Sequence, residues 1–298
     1  MSNVLRNATY SVHKLVKQAD NLHSLKTRAN TKSILTTCIT ALHEMGYKLP
    51  NIEGLKQKHV ETLLNHWKAK ELNPATIKNY MAKLRWACDA MNKPNVIKVS
   101  NEAYNIGARS YIASSNKAIH ELDLSKITNA NIKLSLEAQR LFGLRREESL
   151  KLVVSEADKG DHLFLKGSWT KGGIERNIPI LTQEQREFLN KLHEVIPENH
   201  SLIPKDKTNK EQIKLYENQA REAGFKNLHG LRHAYAQTRY ATIVNELTNG
   251  NGWRCPREGG LLKSEMTKEQ KMIDLQARGM LTKELGHSRI GITKIYLK

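Results

Sequence analysis

Apolar residues recur at helical spacing along most of this 298-residue chain, and this periodicity restricts it to a largely helical fold. Near the N-terminus, the runs at 34–42 and 60–67 each predict an amphipathic helix, and Gly46 stands where a C-terminal cap is expected. Asn73 followed by Pro74 is typical of a helix start, because asparagine caps free amides and proline fits the first turn.

One segment departs from the helical pattern. Residues 162–165 and 174–180 are typical of strands, and Gly172-Gly173 between them predicts a β-hairpin. The remaining pattern predicts a helix before Gly143, a glycine-rich loop at 249–260, and helices at about 147–154, 183–195, 210–223, 231–247 and 267–284. The predicted fold class is therefore mainly α with a small β-sheet, an α+β arrangement.

A stretch of weak periodicity separates the two halves. Residues 93–117 carry proline, glycine, serine and asparagine, a composition that favours a linker. We predict a helical domain at 1–105, a linker at 106–117 and a second domain at 118–298.

The net charge of +18, from 48 Lys and Arg against 30 Asp and Glu, indicates a nucleic-acid partner. Clustered cations gain affinity by releasing phosphate counterions. Membrane-surface binding is the alternative, but it requires a basic amphipathic helix or lipidation, and neither is evident. Lys78, Lys83 and Arg85 on one helix are either a solvated face or a set of contacts to DNA phosphates.

The three cysteines, an odd number without metal-ligand spacing, argue against a disulfide framework and against a zinc site. Cys38 and Cys88 fall in helical patterns and are predicted to be core residues. No signal-peptide run and no membrane-length apolar stretch is present. We expect a cytoplasmic, nucleoid-associated protein with no metal, no cofactor and no membrane partner.

Candidate functional residues follow in a defined order. In His229-Gly230-Leu231-Arg232-His233, the first and fourth residues share one helix face, so both side chains can reach the same oxygen. Arg145 follows Gly143, and Glu148 three residues later is placed to pair with an arginine. Taken alone, the His-x-x-Arg motif is also compatible with a basic helix turn near a DNA backbone, and Arg145 and Glu148 are better explained as a common surface ion pair.

Lys171 at the predicted hairpin tip can reach into a site and give a proton to a leaving oxygen, although turns commonly carry Lys and Gly. His287 follows Gly286, and Tyr296 stands nine residues later. A tyrosine hydroxyl is a poor nucleophile unless nearby cations stabilise the charge that develops on its target. With arginines, histidines and a lysine upstream, the natural target is a phosphodiester.

The ordered set resembles the tyrosine recombinase family of phage and island integrases and chromosome-dimer resolvases. That family carries an arginine after Gly-Leu, an acidic residue three positions on, a hairpin lysine, His-x-x-Arg-His, Leu-Gly-His and a tyrosine nine residues later. The resemblance covers most of residues 120–298. It extends more loosely to residues 76–80, which resemble the start of a helix in the family's N-terminal DNA-binding domain, called the core-binding domain.

The resemblance implies a role for each position. Arg145 and Arg232 would hold the non-bridging phosphate oxygens, His287 would add a third donor, and His229 would either bond the phosphate or accept the tyrosine proton. Lys171 would be the acid for the leaving 5′-oxygen, Glu148 would orient the arginines, and His233 would support the site. Tyr296 would attack the phosphate and form a 3′-phosphotyrosyl bond.

By the same resemblance, the core-binding and catalytic domains would form a clamp on double-stranded DNA. A homotetramer on two duplexes would integrate or excise a mobile element, with possible accessory DNA-bending or directionality factors. Two alternatives remain open. A type IB topoisomerase uses the same chemistry to relax DNA, and a DNA-binding protein without catalysis would need none of it.

Two departures from the family pattern stand out. The interval from Arg232 to His287 is 55 residues, longer than is usual, and the insertion lies within 249–280. Only Leu297 and Lys298 follow the tyrosine here, where many relatives have a segment that docks on the neighbouring subunit. The insertion either replaces that segment or contacts DNA.

Overall fold

The computed structural model describes residues 2–19, 21, 24–110 and 112–298, and the chain divides into two compact units, Met1–Ser110 and Tyr111–Lys298. The predicted fold class is confirmed, since helices predominate and a single antiparallel pair of strands is seen in the described residues. The predicted linker at 106–117 spans the point of division, and its bounds stay a prediction. No helix within the described ranges is long and apolar enough to cross a membrane.

Over its described residues, the first unit is built from four amphipathic helices, α1 (Asn3–Gln18), α2 (Leu25–Glu44), α3 (Gln57–Ala69) and α4 (Pro74–Ala90). As predicted, the Asn73 side chain caps the start of α4, accepting from the Ala75 amide. Cys38 and Cys88 are buried in the core, which confirms their prediction as core residues.

Residues 93–106 belong to the first unit, so the interpretation of the whole of 93–117 as a linker was wrong at its start. Ile97, Tyr104 and Ile106 are buried in the same core as the helices. Arg85 helps to hold this stretch, because its guanidinium donates to the Lys98 carbonyl at 2.9 Å and to Asn101 at 3.0 Å. These donors are used within the protein, which favours a structural role for Arg85 over a phosphate contact.

The second unit consists of helices around one hairpin. The helices are α5 (Ala130–Phe142), α6 (Arg146–Lys151), α7 (Val154–Ala157), α8 (Gln183–Val195), α9 (Asn209–Glu222), α10 (Gly230–Leu247), α11 (Lys268–Glu284) and α12 (Lys294–Leu297). Strands β1 (His162–Leu165) and β2 (Arg176–Pro179) pair antiparallel, with His162 opposite Pro179 and Leu165 opposite Arg176. Helices α5, α10 and α11 and strand β2 meet in one hydrophobic core.

The single helix predicted at 147–154 is wrong, because the chain breaks between α6 and α7. Leu152 and Val153 have extended dihedral angles, and Val153 forms an antiparallel bridge with Ser201. Backbone pairing with a distant segment thus overrides the local helical pattern. Strand β2 is also shorter than predicted, and the loop between the strands runs from residue 166 to 175.

The insertion at 249–280 packs on its own unit. Cys255 and Met266 are buried, and the Trp253 indole donates to the Tyr240 hydroxyl at 3.2 Å. Its second half forms α11, whose Ala277 and Leu281 lie in the core. The insertion therefore contributes to the framework of the second unit.

Candidate active site

The site begins at a sharp turn after α5. Gly143 has φ +59°, and a β-carbon there would lie 2.4 Å from the Tyr235 ring, so both conformation and space require glycine. The turn places Arg145 at the start of α6 and leaves the Gly143 carbonyl facing α10. That carbonyl accepts from Nη1 of Arg232.

Arg232 is at the centre of the site and is only 1% exposed. Besides Gly143, its guanidinium donates to the Leu285 carbonyl and, from Nε, to the Tyr296 hydroxyl at 3.4 Å. Burial lowers the pKa of Arg232 to about 10, which leaves it charged at neutral pH. One cation therefore connects the turn after α5, the end of α11 and the tyrosine of α12.

Tyr296 lies in the site of its own chain, buried among histidines. Its hydroxyl is 3.2 Å from Nε2 of His287. The centroid of its ring is 4.7 Å from that of His233 and 6.2 Å from that of His229. The structure thus brings together the last four residues of the predicted order, although they are up to 67 positions apart in sequence.

The three histidines are held neutral. Loss of hydration, followed by the charges of Arg232 and Arg145, lowers the pKa of His229 to about 4 and that of His287 to about 3. The pKa of His233 is lowered to about 4 by burial and then by His229. His229 precedes α10 and keeps an exposed surface despite this partial desolvation, whereas His233 is buried. At neutral pH each of these imidazoles is uncharged and has one ring nitrogen that can accept a hydrogen bond.

Glu148 organises the cations around this centre. Its buried carboxylate accepts from Arg145 Nη1 at 2.6 Å and from Arg176 Nη2 at 2.7 Å, and lies 3.9 Å from Arg232 Nη1. Burial alone would raise the pKa of this carboxyl, but Arg176, then Arg145 and Arg232, hold it at about 2. It also accepts from the Arg145 backbone amide at 2.7 Å, which caps α6.

Arg176 is a site residue that the sequence analysis missed. Its side chain is 3% exposed, and besides Glu148 it donates from Nε to the Glu284 carbonyl at 2.9 Å. It therefore ties the Glu148 carboxylate to the end of α11, three residues before His287. The available signal was strand alternation: Arg176 shares a face with the core residue Ile178, and a buried arginine requires an anionic partner.

Lys171 is the one predicted residue that the structure does not bring into the cluster. It is exposed in the loop between β1 and β2, next to Gly172 and Gly173, both of which have positive φ. It forms no hydrogen bond or ion pair with any residue in the described part of the chain. The described residues also contain no group of three or more His, Cys, Asp or Glu side chains that could hold a metal ion.

Comparison with known protein families gives two adjoining matches. A family described as phage integrase, N-terminal matches residues 6–96, and one described as integrase matches residues 102–238. Together they cover more than half of the chain. The chain belongs to the phage integrase family of tyrosine recombinases. The predicted family and enzyme class, a tyrosine-type site-specific DNA recombinase, are thereby confirmed.

Solved structures of other integrases share this fold. A lambda integrase dimer bound to a COC′ core site is 15% identical, with a TM-score of 0.62 over 99% of this chain and 77% of that chain. A lambda integrase tetramer bound to a Holliday junction is 16% identical, with a TM-score of 0.53 over 83% and 76%. The Tn1549 transposon integrase in complex with circular intermediate DNA is 15% identical, with a TM-score of 0.53 over 98% and 95%. No curated protein sequence matches the chain.

The integrase match includes Arg145, Lys171 and Arg232 but ends before His287 and Tyr296. The family match therefore does not cover the tyrosine. Tyr296 is identified as the candidate by its contacts with Arg232 and His287 and by its spacing from His287.

Proposed function

We propose that this recombinase cuts and rejoins DNA with Tyr296 as its nucleophile. One observation carries the proposal. The Tyr296 hydroxyl lies between Arg232 Nε, at 3.4 Å, and His287 Nε2, at 3.2 Å, where a phosphate bound by the same groups would be within its reach. Because the tyrosine and its partners belong to one chain, each subunit would cut the DNA that it binds.

The reaction is a transesterification. The tyrosine oxygen bonds to phosphorus, the bond from phosphorus to the 5′-oxygen breaks, and the products are a 3′-phosphotyrosyl link and a free 5′-hydroxyl. Negative charge grows on the non-bridging oxygens in the transition state. Arg232 and Arg145 lie on either side of Glu148 and would neutralise that charge, with His287 as a further donor.

Two proton transfers complete the step. His229, whose ring centroid is 6.2 Å from that of Tyr296, would accept the tyrosine proton or donate a hydrogen bond to the phosphate. Lys171 would supply the proton to the leaving 5′-oxygen, from a loop whose length and two glycines allow it to bend towards bound DNA. His233, packed on the Tyr296 ring, would support the site. Glu148, together with its partner Arg176, would hold Arg145 and Arg232 in position.

DNA and a multimeric assembly are the proposed partners. The +18 net charge supports binding of double-stranded DNA, gripped by both units as a clamp. The lambda integrase neighbours were solved as a dimer on a core site and as a tetramer on a Holliday junction, and a homotetramer on two duplexes is proposed here. Integration and excision of a mobile element is the proposed role, with accessory bending or directionality factors as further partners.

The deciding experiment incubates the protein with nicked duplexes made from the DNA that flanks its gene, together with a random-sequence pool. A covalent protein–DNA adduct on a denaturing gel that disappears in Tyr296→Phe supports the proposal. An adduct that survives this substitution contradicts it. Relaxation of an arbitrary supercoiled plasmid would instead favour the topoisomerase alternative. Equal rearrangement of DNA by wild type and Tyr296→Phe would favour binding without catalysis.

A further inference from the structure

The backbone of Tyr296 is held by a buried amide on α10. Gln237, five residues after Arg232, is 0% exposed, and its Nε2 donates to the Tyr296 carbonyl at 2.9 Å. The helix that supplies Arg232 to the tyrosine hydroxyl therefore also fixes the main chain that carries the tyrosine. A misplacement of about 1 Å at a reacting group can cost a hundredfold in rate, so this contact bears on reactivity.

The orientation of that amide depends on a second residue. Only the nitrogen of a glutamine side chain can donate to a carbonyl, and a flipped amide would point its oxygen at Tyr296. Asn116 prevents the flip through a reciprocal pair: Gln237 Nε2 donates to Asn116 Oδ1 at 2.8 Å, and Asn116 Nδ2 donates to Gln237 Oε1 at 3.1 Å. The Ala118 amide donates to Asn116 Oδ1 at 3.1 Å and so fixes the asparagine, and with Asn116 in this orientation both bonds exist in only one orientation of the glutamine.

Asn116 belongs to the segment by which the chain enters the second unit. This segment, residues 113–119, is bound at both ends. The Ala113 carbonyl accepts from Arg257, and the Ile119 amide donates to the Gly230 carbonyl at 3.0 Å. A β-carbon at Gly230 would lie 2.4 Å from the Lys117 carbonyl, so the segment runs directly against the start of α10.

We propose that Gln237 is a positioning residue for Tyr296, and that Asn116 makes this positioning depend on the placement of segment 113–119. The inference rests on the proposed role of Tyr296 as nucleophile. Displacement of the segment moves Asn116 away from Gln237 and breaks their two hydrogen bonds. The Gln237 amide can then rotate, which weakens its bond to the Tyr296 carbonyl.

The first test needs no DNA. In protein labelled with fluorotyrosine, the ¹⁹F resonance of Tyr296 is assigned by its loss in Tyr296→Phe. We expect it to shift or broaden in Asn116→Ala and in Gln237→Met. It should stay in place in Asn116→Asp, whose carboxylate still accepts from Gln237 Nε2. The exposed neighbour Ser115→Ala is the matched control. An unchanged Tyr296 resonance in both Asn116→Ala and Gln237→Met would overturn the proposal.

The second test measures single-turnover adduct formation on a nicked duplex that wild type traps. Asn116→Ala is expected to slow the step roughly tenfold at unchanged DNA affinity, and Asn116→Asp to restore most of the rate. The double variant with Gln237→Met should be no slower than Gln237→Met alone. Additive losses, or losses explained by DNA affinity, would contradict the coupling. An adduct that persists in Tyr296→Phe would overturn the proposed function, whereas the resonance test would still decide the positioning.

Discussion

Arg176 reaches from strand β2 to the carboxylate of Glu148, with 2.7 Å between Nη2 and Oε2, and neither side chain is more than 3% exposed. The pair joins the hairpin to the helix that begins beside Arg145. Because each ion is buried, it depends on the other for the interactions that water would otherwise provide. Arg145 and Arg176 share the two oxygens of one carboxylate, so the site is held together by an acidic residue that need not touch DNA.

Glu148→Gln should therefore destabilise the protein by roughly 3 kcal/mol, because buried Arg176 and Arg232 lose their counter-charge. Urea unfolding measures this loss. The matched control is Glu217→Gln, whose partner Arg146 lies 2.8 Å away on the surface and whose loss should cost under about 1 kcal/mol. Removing both members in Glu148→Gln/Arg176→Met should cost less than the sum of the single changes. Equal costs for Glu148→Gln and Glu217→Gln would refute a structural role for the buried pair.

Stability should fall in mild acid. The folded pKa of His233 is about 4, below its usual 6.5, so the unfolded chain binds more protons between these values. Stability is therefore full above pH 6.5 and declines towards pH 4, with a slope of up to about 1.4 kcal/mol per pH unit for this residue. His229 and His287, whose pKa values are also lowered, add to the slope in the same direction. Glu148, with a pKa of about 2, loses its contribution as the pH falls through its unfolded value near 4.5, so it acts only at the acid end of this range.

The measurement is the free energy of unfolding in urea at several pH values between 4.5 and 7. His233→Asn should flatten the decline, because the substituted side chain does not titrate. His120→Asn, at an exposed position of the same unit, is the control and should leave it unchanged. If the free energy of unfolding of His233→Asn declines with pH as steeply as that of wild type, burial of neutral His233 does not contribute to the decline.

The turn before Arg145 should not tolerate a side chain. Gly143→Ala combines a left-handed backbone with a β-carbon 2.4 Å from the Tyr235 ring, and we expect a loss of more than about 2 kcal/mol. Gly172→Ala is the matched control, because it also has positive φ but faces open space, so that only about 1 kcal/mol is expected. Thermal or urea unfolding separates the two. A similar loss in both variants would show that steric contact with Tyr235 contributes little.

Lys171 is expected to act only on the leaving group. Lys171→Ala should slow single-turnover cleavage about a hundredfold, the usual contribution of a general acid. A duplex with sulfur in place of the leaving 5′-oxygen should restore the rate, because a thiolate leaves without a proton. Lys166→Ala in the same loop is the control, since that ammonium lies over the Trp169 ring. An equal loss on both substrates would mean that Lys171 binds DNA and does not donate the proton.

Local pattern sufficed for much of the fold. Helix α8 has the bounds predicted from periodicity, 183–195, and the hairpin lies where its glycines indicated. The break at Val153 was not predictable, because its cause is a backbone bridge to Ser201, 48 residues away. Long-range pairing of this kind leaves no periodic signal in the sequence of the helix that it interrupts.

The site shows the same division between local and distant information. His229, Arg232, His287 and Tyr296 were predicted from an ordered set of motifs and its resemblance to tyrosine recombinases, and the fold places them together. Gln237 was missed, because its role depends on a carbonyl 59 residues away and on Asn116, 121 residues away. Backbone acceptors do not depend on residue type, so no motif reports them.

The most direct test of the account is the identity of the residue that bears the DNA. The covalent adduct from a nicked duplex is digested with protease and nuclease, and the modified peptide is sequenced by mass spectrometry, with Tyr296→Phe prepared alongside. We predict a single phosphotyrosyl peptide, the one that contains Tyr296, and no adduct from the variant. A phosphotyrosyl link at any of the other eight tyrosines, or an adduct from Tyr296→Phe, would contradict the assignment of Tyr296 as the nucleophile.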